Sequence, residues 1–197
     1  LQRLTAAFGV RFERGPDELK DLPAHFGKHG RGLDLTRHDM RIFAEIVDAS
    51  KMTADQVLAK GLDLARRGAD VIDLGGLPDT PFPHLEECVR ALEQAGLRVS
   101  VDSFSLDELT RGAQAGADYL LSLNEETLWV ADEIASTPVL IPAEPGDLAS
   151  LARAAEALAA KGRPFMADPV LDPIHFGFTQ SIERYAAYRR MRPDDEM

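Results

Sequence analysis

Six polar side chains stand at the ends of six successive apolar runs: Asp48, Asp73, Asp102, Asn124, Glu144 and Asp172. The gaps between them are 25, 29, 22, 20 and 28 residues. Ionised carboxylates accept N–H donors, hold hard cations and stabilise developing positive charge, whereas a carboxamide both donates and accepts. Such groups do joint chemistry only if the fold brings them together. One strand plus one helix is about the length of each gap, and a βα repeat carries all its strand C-termini to one end of the sheet. One shared site is therefore expected at that end.

The elements needed for this placement are legible from residue 40 onward. The runs RIFAEIVDA, ADVIDLGG, RVSVDSF, DYLLSLN, PVLIPAE and PFMADPVLDP are short and apolar, as strands covered on both faces should be. Between them lie amphipathic segments such as TADQVLAKGLDLARRG, HLEECVRALEQAG, SLDELTRGAQAG and DLASLARAAEALAAKG. ETLWVADEIAS continues the alternation, and QSIERYAAYRRM follows as a last helix. Thr53 and Gln56 form a capping-box signature, while Gly68 and Gly96 mark helix ends. Alternating strands and helices predict parallel βαβ units with right-handed crossovers. An open doubly wound sheet and a (βα)8 barrel both satisfy that pattern. Polar residues on all six strand ends favour the barrel, because an open sheet uses only the strands beside its switch point. The fold expected is an α/β TIM barrel, with six of its βα units in these 197 residues.

Residues 1–39 read differently, with short helical patches broken by glycine and proline and with His25, His29 and His38 among basic residues. Zinc-type ligand spacing is lacking there, so a solvated extension, or the tail of an upstream domain, is expected before a partial barrel at 40–197. The chain carries 33 acidic and 22 basic side chains, a net charge of -11, which opposes a nucleic-acid or anionic-membrane surface. The single cysteine, Cys88, falls at a helix position with apolar neighbours and is expected to be buried. One cysteine and no apolar stretch of membrane-spanning length make the cytoplasm the default location.

GADVIDLGG, RVSVDSF, GADYLLSLN and DPIHFGFTQSIERY, in that order, resemble the motif order of the pterin-binding barrels. That family includes dihydropteroate synthase and the pterin-binding methyltransferases, and the resemblance runs from about Arg41 to Arg190. It implies that Asp102, Asn124 and Asp172 grip a pterin ring. Ser122 is an alternative to Asn124, and Asp168 is held in reserve behind Asp172. His175, in the same loop, either contacts the ligand or packs the loop. Asp102 and Asp73 would carry the catalytic electrostatics, although Asp102 could instead cap the helix beginning near Ser105, and Asp73 could serve the turn at Gly75 and Gly76. Asp48 is the implied Mg²⁺ ligand.

The activity implied is the joining of a dihydropterin methyl diphosphate to an aryl amine, with loss of the diphosphate, in folate- or methanopterin-type biosynthesis. Departures accompany the likeness. The loop Leu77-Pro78-Asp79-Thr80-Pro81 has no arginine, Asp48-Ala49-Ser50-Lys51 replaces the family's first loop, and the motifs of strands seven and eight lie outside these residues. A methyltransferase-type pterin domain, a Mg²⁺-dependent lyase or isomerase, and a non-catalytic scaffold therefore stand as alternatives. A small pterin is the expected partner, and a homodimer the expected assembly if the chain self-associates.

Overall fold

Apolar runs too short for helices pair instead as strands, and the computed structural model describes residues 41–76, 80–172 and 176–197. Six strands form one sheet: β1 (Phe43–Ile46), β2 (Val71–Gly75), β3 (Arg98–Asp102), β4 (Tyr119–Leu123), β5 (Thr137–Leu140) and β6 (Met166–Ala167). The helices are α1 (Ala54–Arg66), α2 (Leu85–Gln94), α3 (Leu106–Ala115), α4 (Leu148–Ala160) and α5 (Phe178–Met191). The Thr53–Gln56 capping box closes the start of α1 in both directions, as the sequence predicts. Gly68 and Gly96 take positive φ values of 104° and 78° just past α1 and α2, the conformation that glycine adopts most cheaply.

All strand pairs are parallel and the spatial order is β1-β2-β3-β4-β5-β6. Without a reversal of order there is no switch point, so the doubly wound alternative falls. The sheet also curls. Strands three places apart in a flat sheet lie roughly 14 Å apart, yet Phe43 on β1 and Tyr119 on β4 meet edge to face with ring centroids 5.1 Å apart. Inside the curl, Val71, Tyr119, Val139 and Met166 are buried with Phe43 and Leu121 packed on them. The opposite faces of the strands, including Ile46, Leu74, Val101, Leu120 and Leu140, join Val57, Val89, Leu109 and Leu158 of the helices in a larger core. Cys88 is buried in that core, as expected of its helix position.

Two elements depart from the sequence reading. ETLWVADEIAS is not an α-helix; its only regular piece is a 3-10 helix at Leu128–Asp132. The Asn124 turn takes the start of the segment and β5 begins at Thr137, which leaves too little length for an α-helix to cover the sheet. The strand in PFMADPVLDP is only two residues long. Pro169 lacks the N–H needed to continue the ladder.

Beyond α5 the chain returns to the sheet. The Ala167 N–H on β6 donates to the Glu196 carbonyl at 2.8 Å, and the Glu196 carboxylate meets Arg41, just before β1, at 3.0 Å.

Candidate functional site

Side-chain alternation along each strand decides which strand-end groups face the inside of the curl. Phe43 points inward, so Glu45 does as well, and Glu45 is in register with Asp73 on β2, which is in register with Ser100 on β3. Gly75 is in register with Asp102, which is in register with Leu121. Three carboxylates on three adjacent strands thus share the inner face. Asp73 is 5% exposed and accepts a hydrogen bond from the Ser100 hydroxyl at 2.6 Å. Burial, opposed by the Ser100 hydrogen bond and assisted by the charges of Asp102 and Glu45, pushes its pKa up to about 7. Glu45 is also raised, by desolvation first and by Asp102 second. A carboxyl that titrates near neutrality can hold or release a proton at working pH.

Asp102 accepts from the Ser122 hydroxyl at 2.5 Å, across β3 and β4. Ser122 has φ 67°, and the β4–β5 register shifts between Leu120 and Leu123. This bulge changes the phase of the strand: Leu121 faces inward, Leu123 joins the outer core, and Ser122 reaches Asp102. Asn124 is spent locally, its side-chain oxygen accepting the Glu126 and Thr127 N–H groups at 2.9 and 3.2 Å. Of the two alternatives for this strand end, the structure brings Ser122 to Asp102 and leaves Asn124 closing its own turn. Nor does Asp102 cap the following helix; Ser105 does, accepting from the Glu108 N–H at 3.4 Å.

The sixth strand end is internally paired. The Asp172 carboxylate accepts from Arg184 at 2.6 Å and from Ser181 at 3.0 Å, and these bonds hold its pKa below the usual carboxylate range. Asp168 accepts from Tyr185 at 2.6 Å and from the Val170 N–H at 2.7 Å. Both aspartates therefore tie the loop after β6 to α5. His175 lies outside the described residues, as do His25, His29, His38 and residues 77–79. Glu144 is exposed in the loop before α4.

Asp48 is exposed at the turn after β1, 4.0 Å from Lys60. Among the described residues no group of three or more His, Cys, Asp or Glu is placed to hold a metal ion. The Mg²⁺ expectation thus finds no ligand set around Asp48, and no chemical step here is routed through a metal. The first-strand carboxylate on the inner face is Glu45, which lies in none of the motifs. Alternation from Phe43 is its signal in the sequence; Asp48 is the last acid of the run, but β1 ends at Ile46 and Asp48 lies in the turn that follows.

The rim beside β2 and β3 is held by Glu108, which accepts from the Phe82 N–H at 3.0 Å and from Ser103 at 2.7 Å. Gly76 passes so close that a Cβ there would lie 3.1 Å from Asp102 O, Glu108 Oε2 and Ser103 Oγ. Its N–H donates to Asp102 O at 2.7 Å. A cleft of about 770 Å³ opens next to this rim, with Gly76, Pro81, Ser103 and the exposed Phe104 among its walls.

A curled parallel sheet in chain order, with carboxylates on the inner face near its strand C-termini, defines the class as a βα barrel with six units described. Among the solved structures that share this fold are dihydropteroate synthases. The enzyme from Xanthomonas albilineans, in complex with indole-2-carboxylic acid and 6-chloroguanine, is 22% identical with TM-score 0.57, over 77% of this chain and 67% of that one. The Burkholderia cenocepacia enzyme, complexed with 7,8-dihydropteroate, is 17% identical with TM-score 0.54, over 68% of this chain and 59% of that one. The Anaplasma phagocytophilum enzyme, with bound 6-hydroxymethylpterin-monophosphate, is 18% identical with TM-score 0.56, over 77% of this chain and 76% of that one. The chain thus has the dihydropteroate synthase fold over part of that enzyme's length. No protein-family model matches the sequence, and no curated protein matches it. No helix among the described residues is long and apolar enough to cross a membrane.

Proposed function

We propose that this chain is a pterin-binding barrel of the dihydropteroate synthase type, and that its site lies on the inner face at Asp73 and Asp102. The observation that carries this reading is the pair of strand-end carboxylates, each oriented by a serine on the next strand: Asp73 by Ser100 and Asp102 by Ser122. The 2-aminopyrimidinone edge of a pterin presents N–H donors, and a carboxylate fixed in place accepts them as charge-assisted bonds. Two of the solved structures with this fold, those from B. cenocepacia and A. phagocytophilum, hold pteridine compounds. Asp172 and Asn124 are assigned to their own loops in this reading, because their carboxylate and amide oxygens are already bonded there.

The reaction proposed is a transfer in the folate or methanopterin manner. The methylene–oxygen bond to diphosphate breaks, an aryl amine nitrogen bonds to the methylene carbon, and one N–H proton is released. Positive charge spreads over the pterin as the diphosphate leaves, and the row of carboxylates stabilises it. Asp73, titrating near neutrality, is suited to take up the released proton. A second reading, pterin binding with methyl transfer of another kind, gains support from Arg111. That cation, on the rim of the cleft, is held by Glu86 through two contacts and by the carbonyls of Phe82 and Pro83, not turned to a diphosphate.

Calorimetric titration of the full chain with 6-hydroxymethylpterin and with its diphosphate tests the reading. Binding of either ring form is the expected result, and Asp102→Asn should weaken it by about 1.5–3 kcal/mol through loss of a charged acceptor. No heat of binding with either compound overturns the pterin assignment. Binding of the diphosphate no tighter than the free alcohol would favour the second reading.

A further inference from the structure

Glu45 belongs to none of the motifs that carry the resemblance, yet the fold delivers it to the same face as Asp73 and Asp102. It lies two residues after Phe43, whose ring packs against Tyr119 inside the curl, and in register with Asp73. Its carboxylate leans over β2 at Gly75, where a Cβ would sit 2.5 Å from Oε1. Glycine at that position leaves Glu45 its room. Asp73 and Asp102 each have a serine donor, but the Glu45 carboxylate makes no hydrogen bond or ion pair to another described residue. Glu45 is exposed, so solvent or a ligand can reach it.

We propose that Glu45 is a specificity-determining residue of this site: a third acceptor that selects a heterocycle edge bearing N–H donors over the same ring bearing carbonyl oxygens. The proposal rests on the pterin reading and names the residue that would read the ring's amino edge. The physical ground is repulsion. Three carboxylates on one patch disfavour one another, and a ligand that donates N–H bonds relieves this, whereas a carbonyl oxygen turned to the same patch adds to it. Serine donors already satisfy one oxygen each of Asp73 and Asp102, so Glu45 has the most free acceptor capacity for a ligand.

The test compares two probes, 6-hydroxymethylpterin and 6-hydroxymethyllumazine, in which a carbonyl replaces the 2-amino group. Their dissociation constants are measured on the full chain, on Glu45→Gln and on Glu45→Ala, with thermal unfolding to verify the fold of each variant. The wild type should prefer the pterin, and both variants should shrink that preference at least tenfold. The alanine variant guards against a fold-specific effect of glutamine, and removing one of three like charges should leave the barrel folded. If pterin binds the wild type and the preference is unchanged in both variants, the role of Glu45 is overturned while the pterin site stands. Equal weakening of both rings also overturns it, since that is the signature of a structural role. If neither ring binds the wild type, the pterin reading falls and this proposal falls with it.

Discussion

Asp73 is buried between two other carboxylates, and its folded form holds a proton far more readily than an exposed aspartate. The sign of the consequence follows from linkage. A carboxyl whose pKa rises from 3.8 to about 7 on folding contributes stability in full below the unfolded value, and that contribution is lost as pH rises through 7. Asp73→Asn keeps a neutral acceptor for Ser100 and should flatten the profile. The variant is expected to gain on the wild type between about pH 4 and 8, by up to roughly 4 kcal/mol. Urea denaturation across that range measures the gap; parallel profiles would show that Asp73 titrates normally in the fold. Asp73 and Asp102 were legible as strand-end acids because β2 and β3 are regular to their last residue. The other strand ends were not. Asp48 lies past the end of its strand, Asn124 lies past a bulge, and Asp172 is paired with an arginine twelve residues on that only the fold brings near.

Helices press on their neighbours unevenly, on the sheet at Gly112 and on the adjacent helix at Gly61. A Cβ on Gly112 of α3 would lie 2.8 Å from Val101 Cγ2 and 3.3 Å from its Cβ. Val101 is β-branched on a central strand and has little freedom to turn away. On Gly61 of α1, the closest atom would be Leu92 Cδ2 at 2.5 Å, the far end of a side chain that can change rotamer. Alanine gains about 1 kcal/mol of helix propensity at either position, but overpacking costs about 1–3 kcal/mol where the neighbour cannot yield. Gly112→Ala should therefore destabilise by about 1 kcal/mol and weaken pterin binding by disturbing β3, while Gly61→Ala should be neutral or slightly stabilising. Equal urea midpoints for the two variants would contradict this account. The helices themselves were readable from their period and caps: Thr53 with Gln56, and the glycines at 68 and 96. The 3-10 segment at Leu128–Asp132 was not, since WVADEI has helical periodicity and only the closeness of β5 cuts it short.

At the scale of the molecule, the run after α5 ties the last described strand to the first. Tyr188, fully buried, donates to Asp195 at 2.7 Å; Arg192 meets the same carboxylate at 2.8 Å; and Glu196 spans from Ala167 to Arg41. Tyr188→Phe keeps the ring in the core and removes one hydrogen bond to a charged group, so it should cost about 1.5–3 kcal/mol. Hydrogen exchange should then speed up at the Ala167 amide more than at Val99. Uniform acceleration at both amides would mean the tie is not local. Barrel rather than open sheet was legible from polar groups at every strand end, even though Asn124 and Asp172 are hydrogen-bonded within their own loops. The curl itself depends on contacts such as Phe43 with Tyr119, separated by most of three βα units, which no local pattern reveals.

Strand order that follows chain order also bears on how such a chain is made. Each new strand finds its partner in the strand synthesised just before it, so pairing never waits for a distant segment, and loop-closure cost stays low at each step. Synthesis proceeds from the N-terminus at about 5–20 residues per second, slowly compared with strand pairing. Glu45, Asp73 and Asp102 all emerge from the ribosome before β4 does. The carboxylates that repel one another in the finished site therefore first meet in a nascent half-ring open to water, and of the three only Asp73 is then drawn into a low-dielectric surrounding as later strands curl over.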